Sequence, residues 1–195
     1  MKKLINDIPS LVRQSLEGLA MLHPGLALLG SEKEGEKLIA KIAAQVEDVK
    51  RRIAPAARRS VLIVVGFQPL ISVGGKNFID ELITLAGGDN IARSAAQPWL
   101  NLPDEVVVAK APQVIIEAGM GSEWGKSVKR WGDLRSIPAV REGRVYSYSS
   151  DKILRPGPRF GEALAELARL ITPECFASPS SRKRSEENRC ESPKP

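Results

Sequence analysis

Residues 60–90 read SVLIVVGFQPLISVGGKNFIDELITLAGGDN, and the order of side-chain types in this stretch decides the fold. Val61-Leu62-Ile63-Val64-Val65 is an apolar run with the length and branching of a strand buried on both faces. Gly66 ends it, and a loop over 68–77 carries Gly74-Gly75-Lys76. The pattern then becomes helical. Phe78, Ile79, Leu82, Ile83 and Leu85 fall on one side, with Asp80 and Glu81 on the other. Gly87-Gly88 stops that helix in the manner of a C-terminal cap. Strand, glycine-rich turn and amphipathic helix make one α/β unit, and in open α/β sheets ligands bind beyond the carboxyl ends of the strands. The 68–77 loop is therefore the first place where function is expected.

Upstream, residues 31–53 predict a long helix. Ser31 can cap it, Glu32, Glu34 and Glu36 suit its positive end, and Lys50, Arg51 and Arg52 suit its negative end. Leu38, Ile39, Ile42, Ala43, Val46 and Val49 form its apolar stripe, and Pro55 marks its exit. Downstream, a polar linker ends in Gln97-Pro98-Trp99, and Pro103-Asp104-Glu105 opens a short helix to about residue 109. Val114-Ile115-Ile116 is a second buried strand, ending in Glu117-Ala118-Gly119-Met120-Gly121. A turn at 127–130 follows, then a third strand, Val145-Tyr146-Ser147-Tyr148. A last helix over 160–171 buries Leu164, Leu167, Ala168 and Ile171. This order predicts an α/β fold: a small Rossmann-like lobe with three or four largely parallel strands, preceded by a long helix. Residues 178–195 have a disordered composition.

The totals narrow the function classes. Hydrophobic residues make up 43% of the 195, ordinary for a globular chain, and no stretch approaches the ~18 apolar residues that a membrane span needs. The basic start is interrupted by Asp7, Pro9 and Arg13, so no signal peptide is read there. The net charge of +6 is concentrated at 50–59 and at Arg182-Lys183-Arg184, without interleaved aromatics, which reads as a solvated helix end and tail rather than a nucleic-acid surface. Cys175 and Cys190 lie in or near the polar tail and lack metal-site neighbours.

Catalytic and nucleotide motifs fail on spacing. A phosphate-binding loop requires glycine where Leu70 stands and a hydroxyl where Asn77 stands. In a dinucleotide fingerprint built on Gly119 and Gly121, Trp124 replaces the third glycine. His23, beside Pro24, is the single histidine, which excludes a histidine pair or a three-histidine metal site. Glu117 is read either as a general base or as a cap or salt-bridge partner. Trp99 is either a binding platform or a plug over the sheet. Arg155 and Arg159 bracket Pro156-Gly157-Pro158, a rigid turn that would hold two guanidinium groups for a ligand's carboxylate, amide or phosphate; otherwise they pair with Asp151 or Glu162. Glu105 is either a docking carboxylate or a solvated first-turn acid.

Several ordered motifs resemble the iron-siderophore and vitamin B12 class of ABC-transporter substrate-binding proteins. They are Gly74-Gly75-Lys76-Asn77-Phe78 with Ala86-Gly87-Gly88-Asp89-Asn90, then Pro98-Trp99, Glu105, Ala111-Pro112-Gln113-Val114, Ile137-Pro138-Ala139-Val140, Gly143-Arg144-Val145-Tyr146 and Arg155-Pro156-Gly157-Pro158-Arg159. The likeness spans roughly residues 31–173. It implies a helical-backbone binding protein (class III) that captures a ligand between two α/β lobes without doing chemistry on it. On this reading, 1–29 is a remnant of the N-terminal region, 30–55 the connecting spine helix, 59–173 the C-terminal ligand-binding lobe and 174–195 a disordered tail, with most of the N-terminal lobe missing. Similarity to the vitamin B12-binding branch implies Gly74, Gly75, Lys76, Trp99, Arg155 and Arg159 at the ligand, and Glu105 docking on arginines of the permease. Ile71 stands where that branch carries a second cleft aromatic, which leaves a ferric siderophore or haem open as the ligand. The implied setting is periplasmic or lipid-anchored, and the implied chain is a monomer with no cofactor, no catalytic residue and no nucleic-acid partner. The competing classes are a Rossmann-like nucleotide-binding enzyme domain and a basic nucleic-acid module.

Overall fold

The computed structural model describes residues 32–118, 131–148, 153–154 and 159–177. Ser31, His23, Gly119, Gly121, Trp124, the turn at 127–130, Arg155 with most of its turn, and Cys190 lie outside the described residues.

Nine residues form the central strand β1 (Arg59–Phe67), and Val61, Leu62, Ile63 and Val64 have no exposed surface. Along one edge, β1 pairs in parallel with β5 (Val114–Glu117), from Val61 opposite Val114 to Val64 opposite Glu117. Its other edge is shared. β3 (Gly88–Asn90) runs parallel beside the first residues, and β2 (Leu70–Val73) runs antiparallel beside the last. β4 (Trp99–Asn101) extends the sheet beyond β2, and β6 (Val145–Ser147) extends it in parallel beyond β5. The order is β4-β2-β1-β5-β6, with β3 on β1. Among the described residues, six strands thus replace the expected three or four. The three that sequence reading missed are three or four residues long, too short to show a period.

Alternation along β1 builds two cores. On one face, Val61 and Ile63 pack with Ile42, Val46 and Val49 of α1 (Glu32–Ile53), Ile79 and Leu82 of α2 (Phe78–Leu85), and Leu164, Leu167 and Ile171 of α5 (Phe160–Ile171). On the other face, Leu62 and Val64 pack with Val107 of α3 (Asp104–Lys110), with Trp131 and Ile137, and with Ala139 of α4 (Pro138–Arg141). At ~1.5 Å per residue, the 22 residues of α1 run roughly 33 Å across the lobe. The guanidinium groups of Arg52 and Arg169 each lie over the ring of Phe176, just past a 3-10 turn (Pro173–Cys175), 5.8 and 5.4 Å from its centre.

α2 begins where expected because the Asn77 side chain accepts the Ile79 amide at 3.0 Å. It ends at Gly87, whose φ of +87° suits the left-handed cap position, whereas Gly88 already opens β3. Asp80 departs from the expected solvated face. It is buried, and it accepts hydrogen bonds from Asn90 Nδ2 at 3.0 Å and from Arg93 Nε. The reason is tertiary: β3 and the chain after it fold back over α2 and supply the partners.

Candidate functional site

The glycine turn and the tryptophan linker, 20 residues apart in sequence, form one unit. Gly74 N donates to Pro98 O at 3.0 Å, Gly75 N to Ala95 O at 3.2 Å, and Asn77 Nδ2 to Pro98 O at 3.3 Å. Gly74 and Gly75 are buried, and a Cβ on either would lie 1.9 Å from Gln97 O or 2.1 Å from Arg93 O. The absence of side chains is therefore used for a close approach between two backbones. Lys76 is exposed, with a φ of +56° that turns the chain into α2.

A second set of bonds holds the same linker. Asn90 Nδ2 donates to Val73 O and to Asp80 Oδ1, both at 3.0 Å, while Asn90 Oδ1 accepts the Ala92 amide at 3.0 Å. Arg93 then joins the linker to Asp80 at 3.1 Å and to Thr84. All of these groups sit at one end of β2, so the entry to β4 is fixed from both sides.

β4 follows at once, with Trp99 opposite Val73 in the ladder. Trp99 is 44% exposed, and it and Val106 are the large hydrophobic side chains left open among the described residues. Glu105 is exposed in the first turn of α3, the next element along the chain, immediately before Val106. Pro103 precedes α3 without a side-chain cap, so Asp104 and Glu105 supply the negative charge that its N-terminus favours. Trp99 and Glu105 thus lie on consecutive elements at one side of the sheet. Arg159 lies far from them in sequence, exposed at the entry to α5.

Sequence reasoning missed a second cluster. Glu117, the last residue of β5, has no exposed surface and accepts from Trp131 Nε1 at 2.7 Å and from Ser147 Oγ at 3.2 Å. Both of these donors are neutral, so the bonds are not the salt bridge that was one reading made from sequence. These three residues line a cleft of about 520 Å³ with Arg135, Arg141 and Val145. It lies along the β6 edge, four strand spacings or roughly 19 Å across the sheet from β4. The only sequence signal was an acid ending an apolar run, because Trp131 and Ser147 are 14 and 30 positions away. Next to it, burial raises the Tyr148 phenol above its ordinary range, helped by its hydrogen bond to Glu166 and the negative charges of Glu166 and Glu162.

Among the described residues, no group of three or more His, Cys, Asp or Glu side chains is placed to hold a metal, and no helix is long and apolar enough to cross a membrane.

The family model described as periplasmic binding protein matches residues 27–152. A vitamin B12-binding protein of Vibrio campbellii is 30% identical over 161 residues, covering 78% of this chain and 55% of the relative. An uncharacterised ABC transporter substrate-binding lipoprotein of Bacillus subtilis is 29% identical, covering 75% and 47%. The chain thus spans about half the length of the curated relatives it matches. Among solved structures, a periplasmic heme-binding protein from a Roseiflexus species superposes with a TM-score of 0.65 at 26% identity, covering 77% of this chain and 60% of that one. A periplasmic vitamin B12-binding protein of Vibrio cholerae superposes at 0.62 with 19% identity, covering 75% and 56%. Those two superpositions place a mixed α/β lobe of this order in a known architecture. Since the family model also takes in well over half of the residues, the chain belongs to the periplasmic binding protein family.

Proposed function

We propose that the chain supplies the C-terminal lobe and connecting helix of a substrate-binding protein that captures cobalamin or a related corrinoid and delivers it to an ABC-importer permease. The observation that carries this reading is Trp99: a large aromatic left 44% exposed on a strand whose entry is clamped by Gly74, Gly75 and Asn90. A rigid, open indole suits packing against a flat ligand, and relatives of this chain are named for vitamin B12 binding. Lys76, Arg155 and Arg159 would supply polar contacts at the same cleft, with Gly74 and Gly75 shaping its wall. Glu105 would dock on arginines of the permease, helped by its exposed position on α3. In this reading α1 is the spine between lobes, the work is capture rather than catalysis, and the setting is periplasmic or lipid-anchored. The protein acts as a monomer without nucleic acid.

A second reading keeps the family and changes the ligand to a ferric siderophore or haem. Half-buried Ile71 of β2, opposite Asn101 of β4, favours it, because no second aromatic stands there. A nuclear magnetic resonance titration of residues 1–195 with cyanocobalamin, haem and a ferric hydroxamate separates the readings, with the Trp99 indole signal assigned through Trp99→Phe. One lobe buries about half of a ligand, against the roughly 70–90% usual for a formed pocket. A weak, saturable shift of Trp99 by cyanocobalamin is therefore expected. Submicromolar binding by this chain alone would refute the half-cleft reading, and silence of Trp99 toward all three ligands would refute the site. For docking, Glu105→Ala should weaken capture of the permease with thermal stability unchanged; undiminished capture would refute that role.

A further inference from the structure

Two short strands share one edge of β1 without pairing with each other. β3 runs beside its first residues and β2 beside its last, and among the described residues no ladder joins the two. One buried side chain bridges the gap. Asn90, the last residue of β3, donates from Nδ2 to Val73 O at 3.0 Å, to Asp80 Oδ1 at 3.0 Å and, at 3.5 Å, to Gly74 O. Its Oδ1 accepts the Ala92 amide at 3.0 Å, and its main-chain carbonyl accepts the Arg93 amide at 3.1 Å. Val73 is the ladder partner of Trp99, so this one amide bonds to the residue directly opposite the exposed indole.

Asp80 fixes which way the Asn90 amide points. A carboxylate only accepts and a main-chain amide only donates, so Nδ2 must face Asp80 and Oδ1 must face Ala92. In that orientation the donor also reaches Val73 O. Arg93 Nε completes the Asp80 oxygens, at 3.2 and 3.1 Å. Residues 91–98, which lead to Trp99, lie in neither helix nor strand. Asn90 and Asp80 hold their first part through Ala92 and Arg93, while Gly74, Gly75 and Asn77 hold the rest through Ala95 and Pro98.

We propose that Asn90 is a positioning residue for Trp99. Held in one orientation by Asp80, its amide joins the end of β3 to the end of β2 and sets the line along which residues 91–98 deliver Trp99 to β4. That Trp99 meets a ligand rests on the function proposed above; the positioning of Trp99 does not.

The test is amide hydrogen exchange, with the Trp99 indole signal, on residues 1–195 carrying Asn90→Asp, Asp80→Asn or Ile42→Ala. Asn90→Asp keeps the shape and an oxygen for Ala92, but it sets an acceptor against Asp80 Oδ1 and Val73 O. Exchange at the Gly74 and Gly75 amides, which donate to Pro98 O and Ala95 O, should rise roughly tenfold to a hundredfold, the factor that unsatisfied buried groups imply. The Ile115 amide, bonded to Arg144 O on the other side of β1, should rise much less. The ligand-free Trp99 indole signal should move. Ile42→Ala weakens the core from α1, so it should keep the wild-type ratio of Gly74 to Ile115 exchange and the wild-type indole signal. Asp80→Asn still offers one oxygen to Asn90 but loses the charge that strengthens its bonds, so a smaller rise of about threefold to tenfold is expected at Gly74 and Gly75. That variant decides the matter should Asn90→Asp not fold. An equal rise at Gly74 and Ile115, unchanged exchange at Gly74 and Gly75, or an unmoved indole would overturn the proposal. In the same samples, Asn90→Asp should need roughly tenfold more cyanocobalamin than Ile42→Ala to shift Trp99, and equal midpoints would overturn the link to the ligand. If the wild-type indole responds to no ligand, the ligand reading fails while exchange and the ligand-free indole still decide the role of Asn90.

Discussion

Gly74→Ala tests whether the glycine turn works as a backbone clamp. The added Cβ would sit 1.9 Å from Gln97 O and 3.1 Å from Gln97 C, where ordinary van der Waals contact begins at 3.4 Å. The obstacle is backbone, so no rotamer change relieves it, and the linker must retreat by about 1.5 Å. A retreat of that size breaks the Gly74–Pro98 bond of 3.0 Å and strains the Gly75–Ala95 bond of 3.2 Å. Two such bonds contribute about 1–3 kcal/mol together, and overpacking adds about 1–3 kcal/mol, so a loss of about 3 kcal/mol is expected. For a chain of this size that corresponds to a fall in Tm of roughly 6–12 °C. The assay is thermal unfolding followed by circular dichroism, with the Trp99 share of the fluorescence taken by difference from Trp99→Phe. Gly66→Ala is the internal control: the nearest atoms to its Cβ would be Ile71 side-chain atoms at 3.4–3.5 Å, so Tm should hold within about 2 °C. Equal, small shifts for both variants, with Trp99 emission unchanged, would refute the clamp.

Three further outcomes follow from the same structure. Ile42→Ala, at a buried α1 position packed into the shared core, should lower stability by about 2–5 kcal/mol in denaturant titration; a loss well below 1 kcal/mol (roughly, by the same scale) would mean that α1 is not integral to the lobe. Lys76→Gly removes a side chain from a φ of +56° and should raise the unfolding midpoint by about 1 kcal/mol equivalent, whereas Lys76→Val should lower it. Tyr148 carries a pH signature. Its folded-state proton is held above the ordinary phenol range, chiefly by burial and then by Glu166. The stabilisation is therefore complete below about pH 10, the unfolded value, and is lost as pH rises through the higher folded value. Stability should thus fall more steeply above about pH 10 in the wild type than in Tyr148→Phe, and parallel curves would refute the assignment.

How far the fold was legible follows from the range of the interactions. The β1 run, the α2 stripe with its Asn77 cap, the long α1 and the α5 stripe are local patterns that depend on neighbours within a few residues, and each stands where sequence put it. β2, β3 and β4 were not legible: each exists because a partner strand from elsewhere completes its hydrogen bonds, as Val73 does for Trp99. Asp80 was assigned to solvent for the same reason, since its partners Asn90 and Arg93 arrive only after the chain has turned back.

By itself, the sequence determined the α/β order, the family likeness and a short set of candidates that included the glycine turn, Trp99, Glu105 and Arg159. Only the tertiary structure decided that Gly74 and Gly75 clamp the segment leading to Trp99, and that Glu117 at the end of β5 accepts from Trp131 and from Ser147 at the end of β6. The physical reason is distance along the chain. Helix periods and caps are written within one turn, whereas the partners of a buried polar group are chosen by packing between segments 14 to 30 residues apart.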